Sequence, residues 1–182
     1  MARVTYGLSN VHYSVITETE GVITYATPVP HPGSVSLTVT PKGESSDFFA
    51  DNQVYFSSSS NQGYDGTLEL AMLTEAFRKD VLGEIEVTED GVLIEVADAK
   101  PKKIALSFQF EDDEKGTRHT LFYCYVSRTG MGSSTTTTTQ EPGTVELTFV
   151  SAPRPDNKRV KVSTGSTTPE AIYDAWFEAV YE

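Results

Sequence analysis

Apolar and polar residues alternate in several short runs of this sequence, and Gly, Pro and Asp residues separate the runs. In the clearest run, residues 104–111, every second side chain is apolar: Ile104, Leu106, Phe108 and Phe110. Successive side chains of a β-strand point to opposite faces, so this alternation predicts strands buried on one face. About eight such runs predict a mainly β fold, an antiparallel β-barrel or sandwich forming a single domain over 1–182.

The predicted strands are distributed along the chain from residue 11 to residue 150. They span residues 11–17, 22–27, 34–40, 67–73, 84–88, 92–96, 104–111, 117–128 and 144–150. Gly-containing turns at 18–21 and 89–91 predict two hairpins. Residues 121–126 are apolar at every position, which is typical of a central strand. Pro28, Pro30 and Pro32 remove three backbone donors and therefore place 25–33 at an edge or in a connector.

Two strands predict specific core positions. Val35, Leu37 and Val39 share one face of 34–40. In the same way, one face of 67–73 carries Leu68, Leu70 and Met72. Asp65-Gly66, just before this second strand, predicts a turn. Outside the strands, residues 1–10 predict a frayed N-terminal arm, and the Ser/Thr-rich segment 129–143 predicts a mobile loop.

Two helices are predicted, a short one in the middle of the chain and one at the C-terminus. Thr74 can cap the first with Glu75 in its first turn, Phe77 and Val81 share a face, and Gly83 ends it. Thr168 can cap the second, followed by Pro169 and Glu170. An apolar stripe on this helix comprises Ile172, Tyr173, Trp176, Phe177 and Val180. The stripe can dock on the chain's own sheet or on a neighbouring subunit.

Residues 41–64 predict a long loop that is unusually rich in aromatic side chains. Its rings are Phe48, Phe49, Tyr55, Phe56 and Tyr64. One interpretation is a loop that packs on its own domain. The other is an assembly loop whose rings are buried in a neighbouring subunit, because interfaces are enriched in Tyr and Phe and long loops are often functional.

Composition and motifs argue against several classes of function. The formal charge of −12 disfavours nucleic-acid binding through a basic patch. The lone Cys124 excludes an internal disulfide and is expected to be buried. The sequence has no apolar signal core and no run of roughly 18 apolar residues that would span a membrane. We therefore expect a protein made in a reducing cytoplasm, without a membrane partner.

No motif predicts catalysis or cofactor binding. His12, His31 and His119 lie in different elements without metal-ligand spacing, and phosphate-loop, dinucleotide and nucleophile-elbow motifs are absent. The acidic run 112–114 is too tight for a calcium loop. The sequence predicts no catalytic, cofactor or metal residues, and an all-β hydrolase is the least favoured alternative.

Five stretches carry a resemblance to a known family. They are YGLSNVHYSVIT at 6–17, YATPVPHPGSVSLTV at 25–39, the aromatic stretch 47–83, ADAKPKKIALSFQFE at 97–111 and RHTLFYC at 118–124. In the order and spacing of these stretches, the chain resembles the major tail proteins, or tail-tube proteins, of long-tailed phages with non-contractile tails that infect Gram-positive bacteria. The resemblance covers most of the chain.

The resemblance implies a structural subunit of the virion. It implies homo-hexameric rings that stack into a hollow tube through which DNA passes, without a cofactor and without catalytic turnover. It implies assembly in the host cytoplasm, with tape measure, tail terminator and distal tail proteins as further partners. The loop 41–64 and the N-terminal arm 1–10 would bridge subunits or rings.

The polar strand faces suggest a tube lumen under this interpretation. Glu69, Gln109, Glu111 and Glu146 lie opposite the apolar faces of their strands. A negative wall would repel phosphates and let DNA slide. Otherwise these side chains simply face solvent. An alternative function is a β-sandwich binding module for a carbohydrate or a receptor, although Trp176 on the amphipathic stripe favours burial over a sugar platform.

Overall fold

The computed structural model describes residues 5–112, 115–132 and 142–182. These residues form thirteen strands: β1 Thr5–Thr19, β2 Val22–Tyr25, β3 Val29–Pro30, β4 Ser34–Lys42, β5 Ser45–Ala50, β6 Gln53–Ser59, β7 Gly63–Leu70, β8 Ile85–Val87, β9 Val92–Ile94, β10 Ile104–Asp112, β11 Thr117–Val126, β12 Val145–Ser151 and β13 Lys161–Ser163. Helix α1, Glu75–Phe77, continues as a π-helical turn, Arg78–Leu82. Helix α2, Glu170–Asp174, continues as a 3-10 turn, Ala175–Phe177.

One antiparallel sheet of nine strands forms most of the molecule. Its order is β2-β1-β10-β11-β12-β7-β4, with β3 paired to β1 and β13 paired to β11. The sheet curls so that Leu8 of β1 and Leu37 of β4 pack against the same core. Among the described residues, no backbone hydrogen bond joins β4 to β1, so the barrel is not closed. The predicted mainly β, antiparallel fold with two short helices is confirmed, in a sandwich-like form.

The core contains the apolar faces that the alternation predicted for most strands. Its fully buried side chains include Tyr13, Leu68, Leu70, Phe77, Ile104, Leu121 and Leu147. The predictions for Met72 and Val35 are wrong, since both side chains are exposed. Strand β7 ends at Leu70, before Met72. Val35 lies where a register shift separates the pairs that Ser34 and Ser36 form with β7.

Three other predictions change because of long-range pairing. Asp65 and Gly66 lie inside β7 and not in a turn, because β12 and β4 pair with them on both sides. The strand β10 is buried on both faces, Ala105 and Ser107 included. The short strand β13 falls in a polar segment where no strand was predicted, and it pairs with His119–Leu121 of β11.

The first predicted helix is confirmed in detail. The Thr74 hydroxyl accepts a hydrogen bond from the backbone N–H of Phe77 at 3.3 Å. Phe77 and Val81 are buried in the core. Gly83 ends the segment with a positive φ of 79°, a conformation that glycine adopts at little cost.

The C-terminal helix is shorter than predicted and begins differently. Pro169 occupies the N-cap position, whereas the Thr168 hydroxyl accepts a hydrogen bond from the N–H of Gly165 at 2.8 Å. The predicted Thr168 cap is therefore wrong. The apolar stripe docks on the chain's own sheet, where Phe177 stacks on His12 with ring centroids 4.6 Å apart.

The start of the chain is not a frayed arm over the residues that the structure describes. Residues 5–10 belong to β1 and pair with the end of β10. Two register shifts accommodate this pairing, and a residue with positive φ lies in each: Gly7 at 64° and Asn10 at 52°. Residues 1–4 of the predicted arm, and 133–141 of the predicted mobile loop, lie outside the described residues.

His31 is expected to make the fold less stable as the pH falls below about 6.5. Its ring is buried beside Tyr13 and Phe77, and its Nε2 atom has no hydrogen-bond partner among the described residues. Burial lowers the pKa of His31 and also that of His119. As the pH falls below the pKa of the unfolded state, the unfolded chain binds protons at these histidines and the folded chain does not. The free energy of unfolding therefore decreases as the pH falls.

Urea unfolding at pH 7.5 and pH 5.5 measures this effect. The variants His31→Phe and His119→Phe should each reduce the difference in unfolding free energy between the two pH values. Carboxylates whose pKa is lowered, such as those of Glu18 and Asp156, affect the unfolding free energy at lower pH and contribute little to this difference. An unchanged difference in both variants would contradict the prediction.

Candidate assembly surfaces

The predicted aromatic loop is a β-hairpin that extends the edge of the sheet. The ladder between β4 and β7 continues through a hydrogen bond from Gln62 N to Lys42 O and another from Ser60 N to Glu44 O, each 2.9 Å. It then passes into the β5–β6 pair. The turn at the tip consists of Asp51 and Asn52, with φ values of 51° and 61°. Two consecutive positive φ values fit a two-residue hairpin turn of type I′.

This aromatic hairpin, residues 45–59, exposes apolar side chains on both faces. Phe48 pairs with Phe56 and therefore shares a face with it. Phe49 and Val54 form the next pair, on the opposite face. The register shift between the two pairs leaves Tyr55 as an extra residue on β6. The five side chains remain 52–72 % exposed.

An isolated two-stranded hairpin is marginally stable in water, and exposed apolar patches usually mark binding surfaces. The strands β5 and β6 pair only with each other among the described residues. Their rings gain nothing from the core of their own chain, because none belongs to it. The hairpin is therefore the strongest candidate interface in the molecule.

Tyr64 does not join the other predicted interface rings. It lies in β7, partly buried against the core, with the Nζ atom of Lys161 5.0 Å from its ring centroid. The structure brings together Phe48, Phe49, Tyr55 and Phe56 and adds Val54, which the sequence reasoning missed. No alternation identifies Val54, because the extra residue Tyr55 places it on the face opposite Phe56.

A second surface, the polar wall, covers the outer face of β4, β7 and β12. Glu69 lies directly between Ser36 and Glu146 in the register of these strands. The next row consists of Thr38, Thr67 and Thr148. The wall therefore combines hydroxyls with two neighbouring carboxylates on an open sheet face.

Hydrogen bonds fix the carboxylate of Glu69 on this wall. The hydroxyl of Thr144 donates to Oε1 at 2.7 Å, and that of Ser36 donates to Oε2 at 2.8 Å. These two bonds lower the pKa of Glu69, since they stabilise its charged form. Glu69 therefore remains ionised at neutral pH.

Glu111 is separated from the polar wall. Its Oε1 atom accepts hydrogen bonds from Ser9 Oγ at 2.5 Å and from Gln109 Nε2 at 3.2 Å. Gln109 is buried and in turn accepts a hydrogen bond from Arg118 Nε at 2.9 Å. Arg118 also donates to the backbone of Tyr173, so the C-terminal segment lies over this part of the sheet. Of the predicted lumen residues, only Glu69 and Glu146 lie together on an open face.

A third surface is one face of the β8–β9 hairpin, called here the β8–β9 face. Ile85 pairs with Ile94, and Val87 pairs with Val92. Because β-strand side chains alternate, these four side chains share one face, and Glu86 and Leu93 lie on the other. Ile85, Val92 and Ile94 are 45–54 % exposed. This face is a further exposed apolar surface.

Among the described residues, few groups are suited to nucleophilic catalysis or metal binding. Cys124 is fully buried, which raises the pKa of its thiol to about 12. Within 5–112, 115–132 and 142–182, no three His, Cys, Asp or Glu side chains are grouped to hold a metal ion. In the acidic run 112–114, residues 113 and 114 lie outside this part of the chain. No helix in the same part is long and apolar enough to cross a membrane.

Comparison with known proteins gives no independent assignment. Neither the models of known protein families nor the curated proteins match this chain. The resemblance to tail-tube proteins remains a prediction from the residues. The function is therefore inferred from the three surfaces.

Proposed function

We propose that this chain is a structural subunit of a phage tail tube. It assembles into hexameric rings, and the rings stack into a hollow tube through which DNA leaves the capsid. The single observation that supports this best is the aromatic hairpin, a built element with two exposed apolar faces. The order and spacing of the stretches resembling tail-tube proteins agree with it.

The exposed apolar side chains of the hairpin contribute to stability only when another surface covers them. Fully burying a Phe or Val side chain stabilises by about 1.5–3 kcal/mol. Five exposed apolar side chains therefore represent a large free energy that becomes available on assembly. Interfaces are enriched in Phe and Tyr, which form four of these five side chains.

Open sheet edges supply a second kind of contact. The strand β4 pairs only with β7 among the described residues, and β2 pairs only with β1. Unpaired backbone groups on such edges bind strands of other chains. Repeated contacts of this kind around an axis close a ring and remove the edges. Six subunits joined in this way form the ring that we propose.

The polar wall fits the inner surface of the tube. Its carboxylates, Glu69 and Glu146, repel the phosphates of DNA, and its threonines offer no positive charge for them to bind. DNA therefore slides along such a wall. The partners of the assembled tube are further copies of this chain, together with the tail terminator, tape measure and distal tail proteins.

The alternative function, a carbohydrate-binding or receptor-binding module, loses its best stacking residue. Trp176 is buried and stacks on Tyr181, with ring centroids 5.8 Å apart. It therefore offers no open platform for a sugar ring.

Negative-stain electron microscopy of the purified, concentrated protein tests the proposal. Low-salt and high-salt samples are compared, because the −12 charge opposes association and salt screens that repulsion. We expect rings or hollow tubes, more abundant at high salt. Uniform monomers under both conditions would overturn the tail-tube function, and specific binding on a glycan array would then favour the binding module.

A further inference from the structure

The aromatic hairpin and the β8–β9 face lie at opposite ends of the same strands. The hairpin begins where β4 ends and β7 begins, at Lys42 and Gly63. At the other end of β7, Leu70 leads into α1 and its π-helical turn, which precede the β8–β9 hairpin. The eight residues of β7 separate the two ends by roughly 23 Å.

The hairpin also points away from its own β8–β9 face. The six residues of β5 extend it by roughly 20 Å beyond the end of β4. The two apolar surfaces therefore cannot cover each other within one chain. Between two copies stacked head to tail, however, the hairpin of one copy reaches the β8–β9 end of the next.

We propose that the β8–β9 face is the surface on which the aromatic hairpin of a second copy docks. This inference rests on the proposed stacking of subunits and identifies the two surfaces that meet. Aromatic rings on the hairpin pack against the four β-branched side chains of the face: Ile85, Val87, Val92 and Ile94. Such a head-to-tail contact repeats without closing and forms a filament.

The two ends carry exposed groups of opposite charge. The aromatic hairpin carries two exposed carboxylates, Asp47 and Asp51, and no positive charge. At the opposite end, Lys100 and Lys102 are exposed, and the N–H of Lys102 donates to Val81 O at 2.8 Å, which places it beside the π-helical turn. None of these four side chains forms an ion pair within the described residues.

Acidic residues near the β8–β9 face are partly neutralised. Three of them are already paired with cations: Arg78 with Glu84, Lys79 with Glu86, and Arg128 with Glu95. Glu86 also lies on the face opposite the four β-branched residues. Glu89, Asp90 and Asp98 are also exposed, and none of the three forms an ion pair within the described residues. The charge contact therefore depends on the hairpin carboxylates lying nearer to Lys100 and Lys102 than to these three groups.

Two complementary variants test the pairing. Phe48→Ser with Phe56→Ser disables the hairpin and leaves the β8–β9 face intact. Ile85→Ser with Ile94→Ser disables the face and leaves the hairpin intact. Each variant alone should stop at the unstacked species in sedimentation velocity. An equal mixture retains one working contact and should give a species of twice that mass, without longer tubes.

Charge reversal tests the same contact with the apolar residues intact. Asp47→Lys with Asp51→Lys, and Lys100→Glu with Lys102→Glu, should each raise the concentration needed for stacking about tenfold. Mixing these two variants should restore much of the contact. Tyr125→Ser, at an exposed position of the central strand β11 outside both surfaces and both open edges, serves as the control and should stack like the natural chain.

The outcomes separate this inference from the proposed function. If the natural chain stacks and the Ile85→Ser, Ile94→Ser variant stacks equally well, the β8–β9 face is not the docking surface, although the tube remains. A mixture that stays at the mass of its components also overturns the pairing. If the natural chain never forms rings or stacks at any salt concentration, both proposals fail. Circular dichroism confirms that each variant is folded, as expected for exposed positions.

Discussion

Replacing Gly63 with alanine is expected to destabilise the fold by about 3–5 kcal/mol, a large part of the total stability of a domain of this size. Gly63 has a φ of 102°, a conformation that residues with a Cβ atom rarely adopt. A Cβ atom there would lie 1.8 Å from the carbonyl oxygen of Ser151 and 3.2 Å from the Cα atom of Ala152. Both contacts are with backbone, so no change of side-chain rotamer relieves them.

Urea unfolding of the Gly63→Ala variant, followed by circular dichroism, measures this loss. Gly165→Ala is the matched control, because a Cβ atom at Gly165 meets nothing within 4 Å, and its unfolding free energy should barely change. Gly66→Ala should fall between the two. Its Cβ atom would lie 2.2 Å from the ring of Phe149, and a side chain can move where a backbone cannot. A loss below about 1 kcal/mol for Gly63→Ala would contradict the prediction.

The strands with one polar face were predictable from the sequence. In β12, Leu147 and Phe149 are buried while Glu146 and Thr148 are exposed, as alternation requires. Local signals also sufficed at Thr74 and Gly83, where capping depends on neighbours in the chain. The fold class follows from such segments, because each depends mainly on residues close in sequence.

The aromatic hairpin differs from the loop predicted for these residues for a physical reason. Alternation reveals a strand when one face is apolar and the other polar. Here both faces carry rings, since Phe48 and Phe49 are adjacent and point to opposite sides. The turn at Asp51 and Asn52 was the remaining local signal, because both residue types tolerate positive φ.

The composition of the candidate site was predictable, but its grouping was not. The sequence identified Glu69, Glu111 and Glu146 as polar positions opposite apolar faces, and all three do lie opposite core residues. Only the tertiary structure separates Glu111, because Arg118 and the C-terminal segment lie over its part of the sheet. That contact joins residues more than fifty positions apart, which no local pattern encodes.

Reversing the charge of the polar wall is expected to convert it from a surface along which DNA slides into one that binds DNA. Glu69→Lys with Glu146→Lys replaces two adjacent carboxylates with two ammonium groups in every subunit of a ring. Because phosphate binding by lysine releases counterions, assembled tubes of this variant should retain DNA at low salt and release it between about 50 and 200 mM salt. Filter binding of labelled DNA to purified tubes measures retention, and phage carrying the variant should deliver DNA poorly.

The position of the charges, and not their number, should decide this outcome. Glu20→Lys with Glu178→Lys changes the net charge equally at exposed sites away from the wall and should leave DNA delivery unchanged. Glu69→Gln with Glu146→Gln removes the repulsion without adding attraction and should give an intermediate effect. The hydrogen bonds from Ser36 and Thr144 keep Glu69 ionised, so the natural tube should show no retention at neutral pH. Tubes of the lysine variant that form normally and deliver DNA undiminished would remove the support for an acidic lumen.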